Sequence, residues 1–278
     1  MILKSFSKIN LSLKVNSKLE NGLHEIQSYF CLIDLNDKIR ISKIKGIQDK
    51  VSFKGSFAKL VKKKDNSVIN LLNLLRRLNL ISDYYSITIF KNIPVFGGLG
   101  GGTSNAATIL KFLVKEELNN KLIKKAEKIV GTDLRLFFLK LGFLKNLSSV
   151  EEIKMKQKFH FVLVKPKIRC STTEIYSKVR IYSKKEKFKK KKSITRDNFL
   201  SLLSKTQNDL QFIVEKKYPP IKKLLRDIKI KKGCFFARMT GSGSVCYGVF
   251  KDKIEAKKAL NKLKTKYSNH WLTLAKTM

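Results

Sequence analysis

The chain has 278 residues, 60 of them Lys or Arg and 21 Asp or Glu, for a formal net charge of +39. With 43% hydrophobic residues, 29% charged residues and 4 prolines it can fill a core and is not a disordered chain, while no apolar run approaches the ~20 residues a membrane helix needs. The cysteines Cys31, Cys170, Cys234 and Cys246 lack C-x-x-C spacing, which excludes zinc-knuckle and thioredoxin-like centres; with no secretory segment at the start, reduced thiols and a cytoplasmic location are expected.

Residues 9–15, Ile-Asn-Leu-Ser-Leu-Lys-Val, alternate, predicting a half-buried strand with Ile9, Leu11, Leu13 and Val15 inward and Lys8, Asn10, Ser12 and Lys14 on the other face. Asn21-Gly22 marks a turn, and further strand is expected over 28–42. Val68, Leu71, Leu72, Leu75 and Leu78 fall at helical spacing, predicting an amphipathic helix over 67–80; Tyr85–Phe90 reads as strand again. After a glycine run at 97–102, Thr103, Ser104 and Asn105 are residues that favour helix starts, and a second helix over 119–130 ends at Gly131. Phe159–Lys165 reads as a strand that begins a second region, with a boundary near residue 155. Lys184–Lys192 reads as an exposed, solvated insertion. Residues 197–228 read as mostly helical with a break at Pro219-Pro220, followed by a strand at Val245–Phe250, a lysine-faced helix over 253–266 and a short strand at Trp271–Leu274.

The most informative segment is Pro94-Val-Phe-Gly-Gly-Leu-Gly-Gly-Gly-Thr-Ser-Asn-Ala-Ala107. Five of the six residues at 97–102 are glycine in a chain with only 14. Glycine accepts positive φ and puts no side chain between backbone and ligand, so successive amides can converge on phosphate oxygens at a helix start. The order strand, glycine loop, helix therefore predicts a phosphate site. The Walker lysine is absent, and no register fits G-x-G-x-x-G. A tight turn explains one glycine here but not five. A second run, Thr240-Gly-Ser-Gly-Ser244, reads as a turn by itself and as a second wall of a phosphate site beside the first.

Ser7-Lys-Ile-Asn10, Pro94–Ala107 and Thr240–Ser244 together resemble, in order and spacing, the three motifs of the GHMP kinases. Gly98–Ala107, Asn21-Gly-Leu-His-Glu25 and Ile33-Asp-Leu-Asn-Asp37 resemble in particular those members that take a cytidyl-diphosphate polyol. The resemblance implies an α+β two-domain GHMP kinase fold. Residues 1–155 would form a ribosomal-protein-S5 domain-2-like unit carrying the ATP phosphate loop. Residues 156–278 would form a ferredoxin-like α/β unit, with the active site in the cleft between them. It implies that ATP, with Mg²⁺, phosphorylates the 2-hydroxyl of 4-diphosphocytidyl-2-C-methyl-D-erythritol to the 2-phosphate, in non-mevalonate isoprenoid synthesis.

By the same resemblance Asp133 is the base and Lys8 the cation beside it. Lys91, Pro94, Gly97, Gly98, Leu99, Gly100, Gly101, Gly102, Thr103 and Ser104 bind ATP, with Ser104 also the expected metal contact. Asn10, His24, Thr172, Tyr176, Gly241 and Gly243 face the substrate, His24 and Tyr176 on the cytosine. Taken alone, Asp133 reads as a helix cap, Lys8 as one exposed lysine among many, His24 as a surface histidine and Tyr176 as a core tyrosine. The sequence departs from the family pattern at Leu23, where an aromatic residue usually stands, and at Leu134-Arg135 in place of valine-proline.

The charge fits either a polyanionic partner or a composition drawn from A/T-rich codons. Abundant Lys, Ile, Asn, Leu and Phe, with lysines spread along the whole chain, favour the second. A GHMP kinase for another small alcohol is the alternative of the same class, which His24-Glu25 and Tyr176 disfavour; a basic RNA-binding protein is the alternative of a different class, but it has no RNP-like aromatic motif and leaves the glycine loop unexplained. A small-molecule substrate, no membrane, no nucleic-acid partner and a monomer or weak homodimer are expected.

Overall fold

The computed structural model describes residues 1–156, 158–188 and 193–278. In chain order its elements are β1 (Ile2–Asn10), β2 (Lys14–Lys18), β3 (His24–Ile44), β4 (Lys50–Lys54), α1 (Ser67–Arg77), β5 (Tyr84–Phe90), α2 (Gly101–Leu113), α3 (Asn120–Val130), β6 (Leu141–Asn146), β7 (Ser149–Glu152), β8 (His160–Lys165), α4 (Thr172–Ser177), α5 (Arg196–Ser204), α6 (Asp209–Lys217), α7 (Pro219–Lys229), β9 (Cys234–Met239), β10 (Cys246–Phe250), α8 (Lys253–Lys266) and β11 (Trp271–Lys276). Packing divides the chain into two compact units that are interleaved in sequence.

The first unit holds Met1–Lys8, Leu35–Val95 and Gly100–Leu139. In it the second half of β3 pairs antiparallel with β5, and β4 runs parallel to β5. Alternation sends Tyr85, Ile87 and Ile89 of β5 into the core beside Ile39 and Ile41 of β3. Helix α1 forms as its spacing predicts, with Val68, Leu71, Leu72 and Leu75 buried. Asn66 caps it by accepting from the amides of Val68 and Ile69. Helix α3 is capped by Asn119 and ends at Gly131.

The second unit holds Ile9–Asp34, Phe96–Leu99 and the described part of Lys140–Met278. The first half of β3 pairs with β2 and β6, and β6 with β7. A separate antiparallel sheet has the order β11-β8-β10-β9, which is 4-1-3-2 in the order its strands occur. With α7 and α8 against it, this is the ferredoxin-like arrangement that the resemblance implies.

Three expectations are corrected. The strand read at 9–15 is two strands with a break at Leu11–Ser12, and its second face is not exposed: Lys8, Asn10 and Ser12 are all buried. The helix after the glycine run starts at Gly101, so Thr103, Ser104 and Asn105 lie inside its first turns and do not cap it. The helical stretch at 197–228 also breaks at 205–208, where Asn208 caps α6, while Pro219 opens α7. The lysine tract is irregular over its described part, 184–188, with Lys184, Lys185 and Lys187 exposed as expected, while Glu186 and Phe188 between them pack inward; residues 189–192 lie outside the described residues. Glu186 exchanges backbone hydrogen bonds with the Gln27 side chain, its carboxylate accepts from the Tyr29 hydroxyl at 2.7 Å, and the Phe188 ring stacks on Phe143 at 4.9 Å.

A buried guanidinium ties the second unit together. Arg238 of β9 donates to the carbonyls of Leu11 and Leu203, each at 2.6 Å, and to that of Thr206. Arg238→Met removes the buried donor from the Leu11 and Thr206 carbonyls, while Leu203 keeps the Thr206 amide and hydroxyl, so a loss of about 3 kcal/mol of stability is expected from the urea midpoint.

Candidate active site

Lys8 stands near the end of β1 with its side chain only 3% exposed. A buried ammonium needs a counter-charge, and Asp133 supplies it: Nζ lies 3.2 Å from Oδ2. Asp133 occupies the N-cap position of the short 3₁₀ helix Leu134–Phe138 but makes no capping hydrogen bond. Its carboxylate is 35% exposed, so one side meets Lys8 and the other remains open to solvent. Behind it, Arg135 makes a bidentate pair with Glu127 of α3, both contacts 2.6 Å, which fixes the 3₁₀ helix to α3.

The glycine run passes from one unit to the other. In the first unit, Gly100 is left-handed (φ +68°) and a Cβ there would stand 2.7 Å from the Phe137 ring and 3.4 Å from the Lys8 stem. Gly102 is exposed, and Thr103 lies next to Gly131, its hydroxyl 3.7 Å from where a Cβ on that glycine would be. The first amides of α2 follow at this point, with no side-chain cap on them.

Two residues expected at the nucleotide are otherwise committed. Ser104, the expected metal contact, is buried: its hydroxyl bonds the Ser5 hydroxyl at 2.7 Å and donates to the Phe6 carbonyl at 2.5 Å. The helix begins two residues before Thr103, and this turns Ser104 inward and leaves Thr103 outward. Lys91, at 3% exposure, donates to Asp37 and, at 3.0 Å, to Asn105 Oδ1. Asp37 is fully buried and also accepts from Asn105 Nδ2 and from the amides of Asn92 and Ile93. Its charge needs the lysine, which therefore sits behind Gly101 instead of in solvent.

In the second unit, Gly98 (φ +73°) is pressed against the other glycine run: a Cβ there would lie 2.3 Å from the Thr240 carbonyl oxygen. The amide of Val245 donates to Gly97, and that of Asn10 to the Thr240 hydroxyl at 3.0 Å. Leu99 has a fully buried side chain, and Pro94 of the first unit is also buried, so any ligand contact from Leu99 is through its backbone. Asn10 donates to Ser28 at 2.8 Å and lies against Gly241. The Thr172 and Ser242 hydroxyls share a hydrogen bond of 2.8 Å, and Gly243 covers Cys170 and Met239. His24 and Tyr176 come together, ring centroids 5.1 Å apart and tilted by 37°. Burial, then the nearby Lys18 charge, lowers the His24 pKa below the usual histidine value, favouring the neutral ring.

The structure thus gathers Lys8, Asp133 and Gly100 in one unit, and in the other His24 with Tyr176, and Asn10 with Gly98, Thr240 and Gly241. Sequence reasoning missed Asn208, whose Nδ2 donates to the carbonyls of Met239 and Gly241, both at 2.8 Å, beneath the second glycine run. The signal was present: an Asn before Asp-Leu at a helix start. It also missed the partnership of Asp37 and Asn105 with Lys91, for which nothing local in the sequence speaks.

Residues 65–133 match the family described as GHMP kinases N terminal domain, and residues 191–269 match GHMP kinases C terminal. The 4-diphosphocytidyl-2-C-methyl-D-erythritol kinase of Pelagibacter ubique (strain HTCC1062) is 35% identical over 99% of this chain and 98% of its own length. The protein of that name from Caldanaerobacter subterraneus subsp. tengcongensis is 32% identical over 99% and 96%. Among solved structures, a 4-(cytidine 5'-diphospho)-2C-methyl-D-erythritol kinase aligns with TM-score 0.75 at 21% identity, over 99% of both chains. A homoserine kinase from Cytophaga hutchinsonii aligns with TM-score 0.67 at 14% identity, over 100% of this chain and 94% of its own. With the α+β fold and the three motifs in place, this chain belongs to the 4-diphosphocytidyl-2-C-methyl-D-erythritol kinase family of the GHMP kinases.

Proposed function

We propose that this protein transfers the γ-phosphoryl group of ATP to the 2-hydroxyl of 4-diphosphocytidyl-2-C-methyl-D-erythritol, giving the 2-phosphate and ADP in non-mevalonate isoprenoid synthesis. The observation that carries the reading is the Lys8–Asp133 pair, a buried ammonium 3.2 Å from a carboxylate that keeps one side open. The two relatives of that name, similar along nearly their whole length, support the choice of substrate. The adjacent His24 and Tyr176 rings suit a substrate that carries a base better than they suit a plain small alcohol.

In this reading Asp133 accepts the proton of the attacking hydroxyl, and Lys8 screens the charge that builds on the transferring group. The amides at Gly100–Gly102 and the start of α2 bind the phosphates, with Thr103 as the hydroxyl facing them. Asn10, Thr172, Gly241 and Gly243 position the polyol diphosphate. Among the described residues no group of three His, Cys, Asp or Glu side chains could hold a metal. A Mg²⁺ ion carried by the nucleotide needs only one or two protein oxygens; the Thr103 hydroxyl fits that need, while Asp133 is kept for the proton. The ion would neutralise charge between the phosphates. Four free thiols agree with a cytoplasmic enzyme, and a monomer or weak homodimer is part of the same reading.

A coupled ADP-release assay tests the reading: turnover is expected with the cytidyl substrate, and none above background with mevalonate or homoserine. The reverse preference overturns it. Asp133→Asn is expected to lower kcat about 10²–10⁴-fold with ATP affinity nearly unchanged by calorimetry; unchanged kcat removes Asp133 from the role of base. Gly100→Ala places a methyl against Phe137 and Lys8 in a left-handed position. A cost of about 1 kcal/mol in stability is expected by thermal melting, together with about a tenfold loss of kcat as Lys8 is pushed from Asp133.

A further inference from the structure

Tyr182 lies in the irregular segment between α4 and α5, and 41% of its surface is exposed. Its neighbour Ile181 is 87% exposed, so the pair is not held in place by burial in the core. An exposed loop tyrosine is ordinarily mobile, yet this one is mounted firmly. The Ser183 amide donates to the Val15 carbonyl at 2.8 Å, its carbonyl accepts from Asn16 Nδ2 at 3.0 Å, and its hydroxyl donates to Asp209 Oδ2 at 2.7 Å. That same carboxylate oxygen accepts from the Val15 amide at 2.8 Å, and the Asp209 amide donates to the Leu13 carbonyl at 2.8 Å. One aspartate at the start of α6 therefore joins β2 to the residue after Tyr182. Three residues further on, Glu186 forms a second anchor on Lys14, Gln27 and Tyr29.

These anchors hold the Tyr182 ring 6.4 Å from His24 at a tilt of 30°, while Tyr176 lies 5.1 Å from the same histidine at 37°. His24 is in turn fixed at the head of β3 by its cross-strand partner Lys18. Three rings at moderate tilt, one of them broadly exposed, give a surface on which a planar heteroaromatic base can stack. Such stacking needs an accessible π-face held in place beforehand, and the Ser183–Asp209 mount provides that.

We propose that Tyr182 is a further specificity-determining residue, which stacks with the pyrimidine base of the cytidyl substrate beside His24 and Tyr176. The proposal rests on the kinase reading above and deepens it by one side chain. Asp209 acts as a positioning residue for it, through Ser183.

The test combines steady-state kinetics with calorimetric titration of CDP in the presence of a saturating non-hydrolysable ATP analogue. Tyr182→Ala is expected to raise the KM for the cytidyl substrate and the Kd for CDP about tenfold. The KM for ATP and the melting temperature should stay at wild-type values, and Tyr182→Phe should restore both affinities. A Tyr182→Ala enzyme with wild-type KM and CDP affinity overturns the proposal and leaves the kinase reading standing. If the wild-type protein binds CDP but phosphorylates no cytidyl substrate, the kinase reading falls, and the CDP affinity of Tyr182→Ala still decides the role of the tyrosine. If the wild-type protein binds no CDP, both fall.

Discussion

The first unit is organised around a lysine that strand periodicity would leave in water. Removing the Lys8 ammonium from solvent costs several kcal/mol unless a charge meets it, and Asp133 is that charge. The condition reaches well beyond the pair. It requires the α3 helix to end at Gly131, so that the chain can turn Asp133 toward β1. The 3₁₀ helix after it is held by Arg135 and Glu127. The Lys8 stem, with the Phe137 ring, then occupies the space where a side chain on Gly100 would go. The glycine there is a consequence of the ion pair as much as a provision for a ligand. A second buried pair, Lys91 with Asp37, repeats the pattern behind Gly101.

The glycine run consequently has more than one physical cause. Gly98 is bare because the Thr240 carbonyl occupies its Cβ position, and Gly100 because Phe137 does. Gly102 meets nothing closer than the Ser67 hydroxyl at 3.5 Å, so internal packing does not demand it. Backbone-to-backbone packing of the two glycine runs in the second unit also explains why they occur together in one sequence. Neither could carry side chains at the contact without pushing the other away.

What could be read from the sequence follows from what is local. Helices α1, α3 and α8 and strand β5 carry their own periodicity and caps, and they form where expected. The glycine runs stood out because composition made them improbable. What could not be read is decided by distant neighbours. Lys8, Asn10 and Ser12 look like a wet face, because alternation does not reveal that a strand is covered on both sides. Strand β9 has no clean alternation, since its Arg238 is drawn inward by carbonyls far away in sequence. Lys91 resembles a ligand-facing lysine until Asp37, 54 positions earlier, is placed beneath it. The earlier start of α2 had the largest effect on the site, because Thr103 and Ser104 were both expected on the phosphates and the helix turns Ser104 inward.

The tail strand has a bearing on how the molecule is made. Residues 271–276 supply the outer strand beside β8, Lys276 donates its amide to Asp34, and the Met278 amide donates to the Leu32 carbonyl. The second unit therefore joins residues that stand far apart in sequence, Asp34 and Lys276 being 242 positions apart. A chain made from its N-terminal side has to keep Ile9–Asp34 unfinished, with Phe30, Cys31 and Ile33 uncovered, until residues 271–278 have followed. Contacts of such sequence separation slow folding. The interval of greatest exposure to aggregation and proteolysis thus lasts until that strand is made, and removing it would open the clasp that closes the unit.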